Sequence, residues 1–352
     1  MPLAVGVEQA LEIMVTNIKA RIVTMIKGSP GTAKSALVDY LANQFNLCLI
    51  DFRMAQCDPT DLLGFPYIDP VTGRARYVPM ETFPLEGDPL PINPATGVAY
   101  DGWLLFLDEF NSAERGVQKA AYKLVLDRMV GNKNLHANCA IIAAGNLDTD
   151  GAIVEEMSTA LNSRIAHCYL TTDPKGWLTW AQGPGAIDWR ITSFIEYSPK
   201  SLYTFDPDSV SLDPAYACYR TWEFANRQLC TGVDENTSGA LQTFAGVLGE
   251  GVAREFLAYL RLGAKLPKIA SIIADPAGTP LPQEPGVQFM LAGAIGQNAD
   301  VTNIGPLMKY IARLPPEFQV ITMREMLRRN IGLMQEKPVE QWTKDHGREF
   351  QA

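Results

Sequence analysis

Histidine is scarce in this chain. There are three in 352 residues, His136, His167 and His346, at no spacing a metal site uses, which sets aside zinc hydrolases and histidine-based nucleophilic chemistry. The six cysteines (Cys48, Cys57, Cys139, Cys168, Cys218, Cys230) include no CxxC pair. They read as buried thiols in a reducing cytoplasm, not as a disulfide frame or zinc site. Basic residues fall short as well: Lys and Arg number 30 against 39 Asp and Glu, for a net charge of −9. That is the wrong sign for a face that lies along duplex DNA, although a local basic pore in an assembled ring is compatible with it. No apolar run approaches the roughly 20 residues of a membrane helix. The N-terminal stretch sets Glu8 and Glu12 among its apolar residues, without a basic n-region, so it does not read as a signal peptide. The expectation is a cytoplasmic protein with no membrane association.

What is present is a folded chain. Hydrophobic residues make up 47% and charged residues 20%, a globular balance, and the length implies roughly two domains. The first half alternates short apolar runs with helical patterns, the signature of an α/β sheet. Ile22–Ile26, Leu47–Asp51, Leu104–Asp108, Cys139–Ala144 and Ala166–Leu170 read as strands. Ala33–Phe45 and Ala113–Met129 read as helices, the second with Val117, Ala120, Ala121, Leu124, Val125 and Met129 on one face. Tyr67–Pro79 reads as a projecting hairpin and Asp88–Gly102 as a surface loop. Beyond Tyr197 the strand signal fades. Tyr219–Leu229, Ser238–Leu248 and Val252–Leu262 read as helices, and Glu336–Ala352 as a frayed polar tail. The domains expected are an α/β core over 1–197, a helical region over 198–335 and a tail over 336–352.

Between the first strand and the first helix stands Gly28-Ser29-Pro30-Gly31-Thr32-Ala33-Lys34-Ser35. Glycines let backbone N–H groups curl around a phosphate, and the following helix presents the positive end of its dipole. Lys34 would reach the β- and γ-phosphates and the Ser35 hydroxyl would ligate Mg²⁺. The generic pattern GxxxxGK[ST] asks for glycine where this chain has Ala33. The departure reads as mild, since alanine tolerates helical backbone angles. The plainer reading is an accidental Lys-Ser after a Gly/Pro turn, and the strand before and helix after weigh against it.

Leu104-Leu105-Phe106-Leu107 ends in two acids. Ligands in open α/β sheets bind beyond the carboxyl ends of the strands, so Asp108 would hold the metal and Glu109 would orient or deprotonate an attacking water. A solvated strand end is the alternative. At the end of the next strand, Asn146 can both donate to a γ-phosphate and accept from a water, or simply occupy a turn.

GSPGTAKS, DLLGFP, LLFLDEFN, AAGN, LNSRI and YRTWEF occur in that order, and together they resemble AAA+ ATPases of the MoxR type, a group related to the dynein and midasin branch. The resemblance covers about residues 19–228. It implies a P-loop AAA+ core with a parallel five-stranded sheet of order 5-1-4-3-2, followed by an α-helical lid, and ATP hydrolysis with Mg²⁺ in a homo-oligomeric ring, usually a hexamer. It assigns Lys34 and Ser35 to Walker A, Asp108 and Glu109 to Walker B and Asn146 to sensor 1. Arg164 takes the place of an arginine finger that reaches a neighbouring subunit, and Arg220 that of sensor 2 at the start of a lid helix. The 67–79 hairpin corresponds to an insert that faces a pore. Arg74, Arg76 and Tyr77 there would grip a polypeptide or nucleic-acid strand, or merely pack. Trp177, Trp180 and Trp189 read as packing residues.

The leading function implied is a chaperone-like machine that remodels or assembles a partner protein, such as one carrying a von Willebrand factor A domain. A nucleic-acid motor is the alternative, with the acidic charge against it. A nucleotide switch with little turnover is disfavoured by Glu109 and Arg164. A GTPase is disfavoured because Asn132-Lys133-Asn134-Leu135 lacks the aspartate of a guanine-reading NKxD.

Overall fold

The structure is a computed structural model that describes residues 3–151, 155, 157–183, 186–208 and 214–351. The chain divides into two compact units, Met1–Thr172 and Asp173–Ala352.

The first unit is built on a parallel sheet of six strands: β1 (Ala4–Val5), β2 (Thr24–Lys27), β3 (Leu47–Arg53), β6 (Gly102–Asp108), β9 (Cys139–Gly145) and β10 (Ala166–Leu170), ordered β1-β10-β2-β9-β6-β3. Two small antiparallel ladders lie apart from it, β4 (Phe65–Ile68) with β5 (Ala75–Val78), and β7 (Met129–Val130) with β8 (Lys133–Asn134). Five helices accompany the strands: α1 (Val7–Lys19), α2 (Lys34–Gln44), α3 (Pro59–Leu63), α4 (Arg115–Asp127) and α5 (Thr159–Asn162).

Both the strand count and the order differ from the five-stranded 5-1-4-3-2 expectation, and the difference lies in β1. This two-residue strand pairs with β10 at the sheet edge and is too short to carry a period-2 signal.

The central strands are apolar on both faces because both are covered. On one face Met25, Leu105, Leu107 and Ile141 pack with Val117, Ala121 and Leu124 of α4. On the other, Ile26, Leu104, Phe106 and Ile142 pack with Ala10 and Met14 of α1 and Leu37, Val38 and Leu41 of α2. Helix α4 ends at Asp127, where Arg128 turns left-handed (φ 56°). Met129 therefore belongs to β7, not to the helix face expected for it. The helical stretch expected over 153–161 falls partly outside the described residues. Before α5, Glu155, Met157 and Ser158 are non-helical, and the helix begins only at Thr159.

The second unit is helical: α6 (Pro174–Gln182), α7 (Trp189–Tyr197), α8 (Tyr219–Cys230), α9 (Ala240–Leu248), α10 (Glu250–Arg261), α11 (Ile269–Ala274), α12 (Pro285–Asn298), α13 (Ile304–Ile311), α14 (Pro316–Arg329) and α15 (Lys337–Gln351). The division at Thr172 precedes the boundary expected at 197, because α6 and α7 pack with α12 and α14. Trp177 is buried there, while Trp180 is partly exposed. The stretch expected to fray is α15, whose Val339 and Trp342 are buried with Leu307, Met326 and Leu333. The Trp342 indole N–H also donates to Gln319 Oε1 at 3.1 Å. Two apolar residues three positions apart suffice for one helical face, in a segment whose average composition is polar.

Three of the expected buried thiols, Cys139, Cys168 and Cys218, are buried, while Cys48 and Cys57 are half-buried and Cys230 is exposed. Burial pushes the Cys139 thiol up to about 12, which leaves it un-ionised and inert. No helix among the described residues is long and apolar enough to cross a membrane.

Candidate active site

The site lies beyond the carboxyl ends of β2, β9 and β6, three neighbouring strands in register. Lys27 pairs with Gly145, and Leu107 with Ala143. Each strand therefore delivers its last residues to the same edge of the sheet.

Residues 28–33 leave β2 as a loop and enter α2 at Lys34. Gly31 and Ala33 both have positive φ, 77° and 63°. Ala33 (ψ 26°) is left-handed, so its departure from the generic glycine is not the mild one expected. The methyl group sits in a conformation that costs a non-glycine residue about 1–2 kcal/mol. Thr32 fastens the loop by donating to Ser29 O at 2.8 Å. Helix α2 starts with no side-chain cap and no acid in its first turn. Its first N–H groups have no partner within the helix, and such an end suits an anion.

Lys34 joins loop to neighbouring strand. Its Nζ donates to Gly28 O at 2.5 Å, Ser29 O at 3.2 Å and Asn146 Oδ1 at 3.1 Å. Ser35 Oγ donates to Asp108 Oδ2 at 3.2 Å, and Asp108 is almost fully buried. The backbone turns left-handed at Glu109 (φ 56°, ψ 33°), whose N–H donates to Asp108 Oδ1 at 2.9 Å. Strained backbone of this kind gathers where geometry is functional. The Glu109 carboxylate is partly exposed. The donor set Ser35 Oγ and Asp108 Oδ2 suits Mg²⁺, a hard cation that takes one or two protein oxygens and completes its shell with phosphate and water. Among the described residues no group of three or more His, Cys, Asp or Glu forms a metal cage.

Three residues that sequence reasoning passed over hold this arrangement. Asn111 is fully buried and spends both ends of its amide on the backbone of Asn146. Its Nδ2 donates to Asn146 O at 2.8 Å, and its Oδ1 accepts from Asn146 N at 3.2 Å. This leaves the Asn146 side chain facing Lys34. It also explains Gly145, since a Cβ there would overlap the Asn111 side-chain oxygen. Asp150 accepts from Ser29 Oγ at 2.9 Å and Leu147 N at 3.0 Å, tying the loop after β9 to the loop over residues 28–33. Arg53, at the end of β3, lies 2.9 Å from Asp108 Oδ2. Asn111 stands inside the LLFLDEFN motif and was the one within reach of the sequence.

The first unit thus brings together Gly28 to Ser35, Asp108, Glu109 and Asn146. It does not bring Arg164 there. Ala166 pairs with Thr24, so Arg164 stands before the start of β10, at the opposite end of the sheet. At ~3.3 Å per residue this is roughly 20 Å from the chain's own 28–33 loop along the strand direction. Arg164 is exposed and forms no ion pair among the described residues. Arg220 belongs to the second unit, exposed in the first turn of α8. Burial pushes the carboxyl of Glu223, one turn along that helix, up against the opposing charges of Arg227 and then Arg220. The hairpin β4–β5 exposes Phe65, Tyr67, Ile68 and Tyr77, with the Arg76 guanidinium 5.4 Å from the centre of the Tyr67 ring.

A loop between strand and helix, a lysine closing it and acids at a neighbouring strand end are the arrangement a P-loop asks for. No family model and no curated protein matches the chain. Among solved structures it is similar to a protein from Cytophaga hutchinsonii proposed to be an ATPase, at 14% identity and a TM-score of 0.34, over 90% of this chain and 79% of that one. It is also similar to NtrX from Brucella abortus, at 14% identity and a TM-score of 0.37, over 89% of this chain and 68% of that one. For NtrX in complex with ATP the identity is 14% and the TM-score 0.36, over 99% and 70%. Likenesses at that level say nothing of what this site does.

Proposed function

We propose that this chain is an ATP-hydrolysing AAA+ ATPase of the MoxR type, working as a homo-oligomeric ring, hexameric in that family, that remodels or assembles a partner protein. The observation that carries the nucleotide reading is the joining of Lys34 to Asn146 and of Ser35 to Asp108 across the ends of three adjacent strands. Residues 28–33 and the start of α2 cradle the phosphates with backbone N–H groups. Lys34 neutralises the β- and γ-phosphates, and Asn146, held by Asn111, orients the terminal phosphate and the attacking water. Glu109 takes the proton of that water. Mg²⁺, held by Ser35 and Asp108, would supply charge neutralisation of the phosphates. Arg164 supplies its charge to the site of an adjacent subunit, and Arg220 is the sensor arginine of the second unit.

A protein client fits the net charge of −9 better than a nucleic acid does. A von Willebrand factor A domain protein is the partner class the family resemblance names. Binding of labelled single- or double-stranded DNA at physiological salt, tight and salt-sensitive, would replace the client reading by a nucleic-acid motor.

The chemical step is tested by Glu109→Gln, compared with Lys34→Ala. Glu109→Gln is expected to retain binding of a fluorescent ATP analogue while phosphate release falls by about 10²-fold or more. Lys34→Ala is expected to lose binding. Unchanged turnover in Glu109→Gln would remove Glu109 from the mechanism.

A further inference from the structure

Both oxygens of Asp108 are engaged. Oδ1 accepts the Glu109 N–H. Oδ2 accepts from Ser35 Oγ at 3.2 Å and also carries Arg53 Nη1 at 2.9 Å. Oδ2 is therefore the oxygen on the Ser35 side, where a divalent cation would bind, and a guanidinium already holds it. The other arm of Arg53, Nη2, holds Asp51 Oδ2 at 3.1 Å. Strand geometry sets this up. Arg53 pairs with Asp108 across β3 and β6, and Asp51, two residues back, projects to the same face as Arg53. The three side chains differ in exposure: that of Asp108 is 7% exposed, those of Arg53 and Asp51 43% and 39%.

We propose that Arg53 is the built-in counter-cation of the Ser35–Asp108 metal site, yielding Asp108 to a divalent cation that arrives with nucleotide and retiring onto Asp51. The inference rests on the reading of Ser35 and Asp108 as the metal-side residues of a phosphate loop. A buried carboxylate without a counter-charge is costly, and Arg53 supplies that charge. Two cations cannot share one carboxylate oxygen without strong repulsion, so one arm of Arg53 leaves as the metal binds. Asp51 retains the other arm at a partly solvated position, and the exchange is a swing of one side chain rather than a rearrangement of strands. Arg53 is thus a positioning residue whose competition sets how much Mg²⁺ nucleotide binding requires.

The test titrates Mg²⁺ into protein and a fluorescent ATP analogue, starting in EDTA, and reads bound analogue rather than turnover. Arg53→Ala is expected to lower the half-saturating Mg²⁺ concentration by about two- to fivefold, the range of a partly exposed ion pair. Its metal-free affinity for the analogue should stay within about twofold of the parent. Asp51→Asn, an exposed change that leaves Arg53 only Asp108 to hold, should shift the same midpoint upward. This opposite sign keeps the proposal testable if Arg53→Ala folds poorly. An unchanged or raised midpoint in Arg53→Ala, or an unchanged or lowered one in Asp51→Asn, overturns it. So does a large loss of metal-free binding in Arg53→Ala, which would make Arg53 a phosphate ligand. Failure of the parent protein to bind the analogue at any Mg²⁺ concentration overturns the phosphate-loop reading itself. Binding with the same metal dependence in all variants overturns only the role of Arg53.

Discussion

Ala33 holds the left-handed conformation that the generic phosphate loop assigns to glycine (φ 63°, ψ 26°), and its methyl group makes that conformation costly. Ala33→Gly is expected to stabilise the chain by about 1 kcal/mol, less the greater freedom glycine has when unfolded. The thermal midpoint should rise by about 1–3 °C, with nucleotide binding retained; a lower midpoint would show that the loop depends on the methyl group. Lys34, Ser35, Asp108 and Glu109 were legible in the sequence because their chemistry is written locally, in a loop between strand and helix and in acids at a strand end. Arg53 and Asp150 were not. Each acts through a partner far along the chain, Asp108 and Ser29, and only the register of adjacent strands and the fold of the loops bring those pairs together.

Among the elements, the five long strands were readable as apolar runs, and α2, α8, α9 and α10 as helical patterns, each within a few residues of its observed limits. The elements missed include α1, α6, α7 and α12 as well as two whose signal is short or diluted. β1 is two residues, and α15 buries Val339 and Trp342 among polar neighbours. Composition also hides a polar network inside the helical unit. Glu325 of α14 is fully buried, accepts from Gln182 Nε2 of α6 and pairs with Arg329 at 3.4 Å, while Arg328 pairs with Glu196 of α7 at 3.2 Å. Burial first, and Glu196 second, push the Glu325 carboxyl up to about 8, and burial raises Glu196 too. The folded chain then holds protons that the unfolded chain releases near the ordinary Glu value of 4.5. The stability this contributes is full below that value and is lost as pH rises towards 8. The thermal midpoint should fall between about pH 5 and pH 8, and Glu325→Gln should flatten the fall. A midpoint that climbs across this interval, or a slope untouched by the variant, would contradict the assignment.

On the scale of the whole molecule, Arg164 decides whether hydrolysis needs a second copy of the chain. It stands at the far end of the sheet from its own phosphate loop, so a role in hydrolysis requires another copy of the chain. A guanidinium supplied to the transferring phosphoryl group is worth about 10³–10⁵ in rate, and a single chain without it should be slow. Arg164→Ala alone and Glu109→Gln alone should each be nearly inactive. Their mixture should regain activity, because some interfaces then join an intact Glu109 to an intact Arg164; absence of complementation would argue against action between subunits. The most direct measurement is the mass of the protein in solution with and without ATP and Mg²⁺, with phosphate release followed on the same samples. A nucleotide-promoted species near six times 38.7 kDa, with turnover proportional to its population, is the predicted result. A monomer that binds ATP and hydrolyses it at the same rate per chain at every protein concentration would contradict the ring.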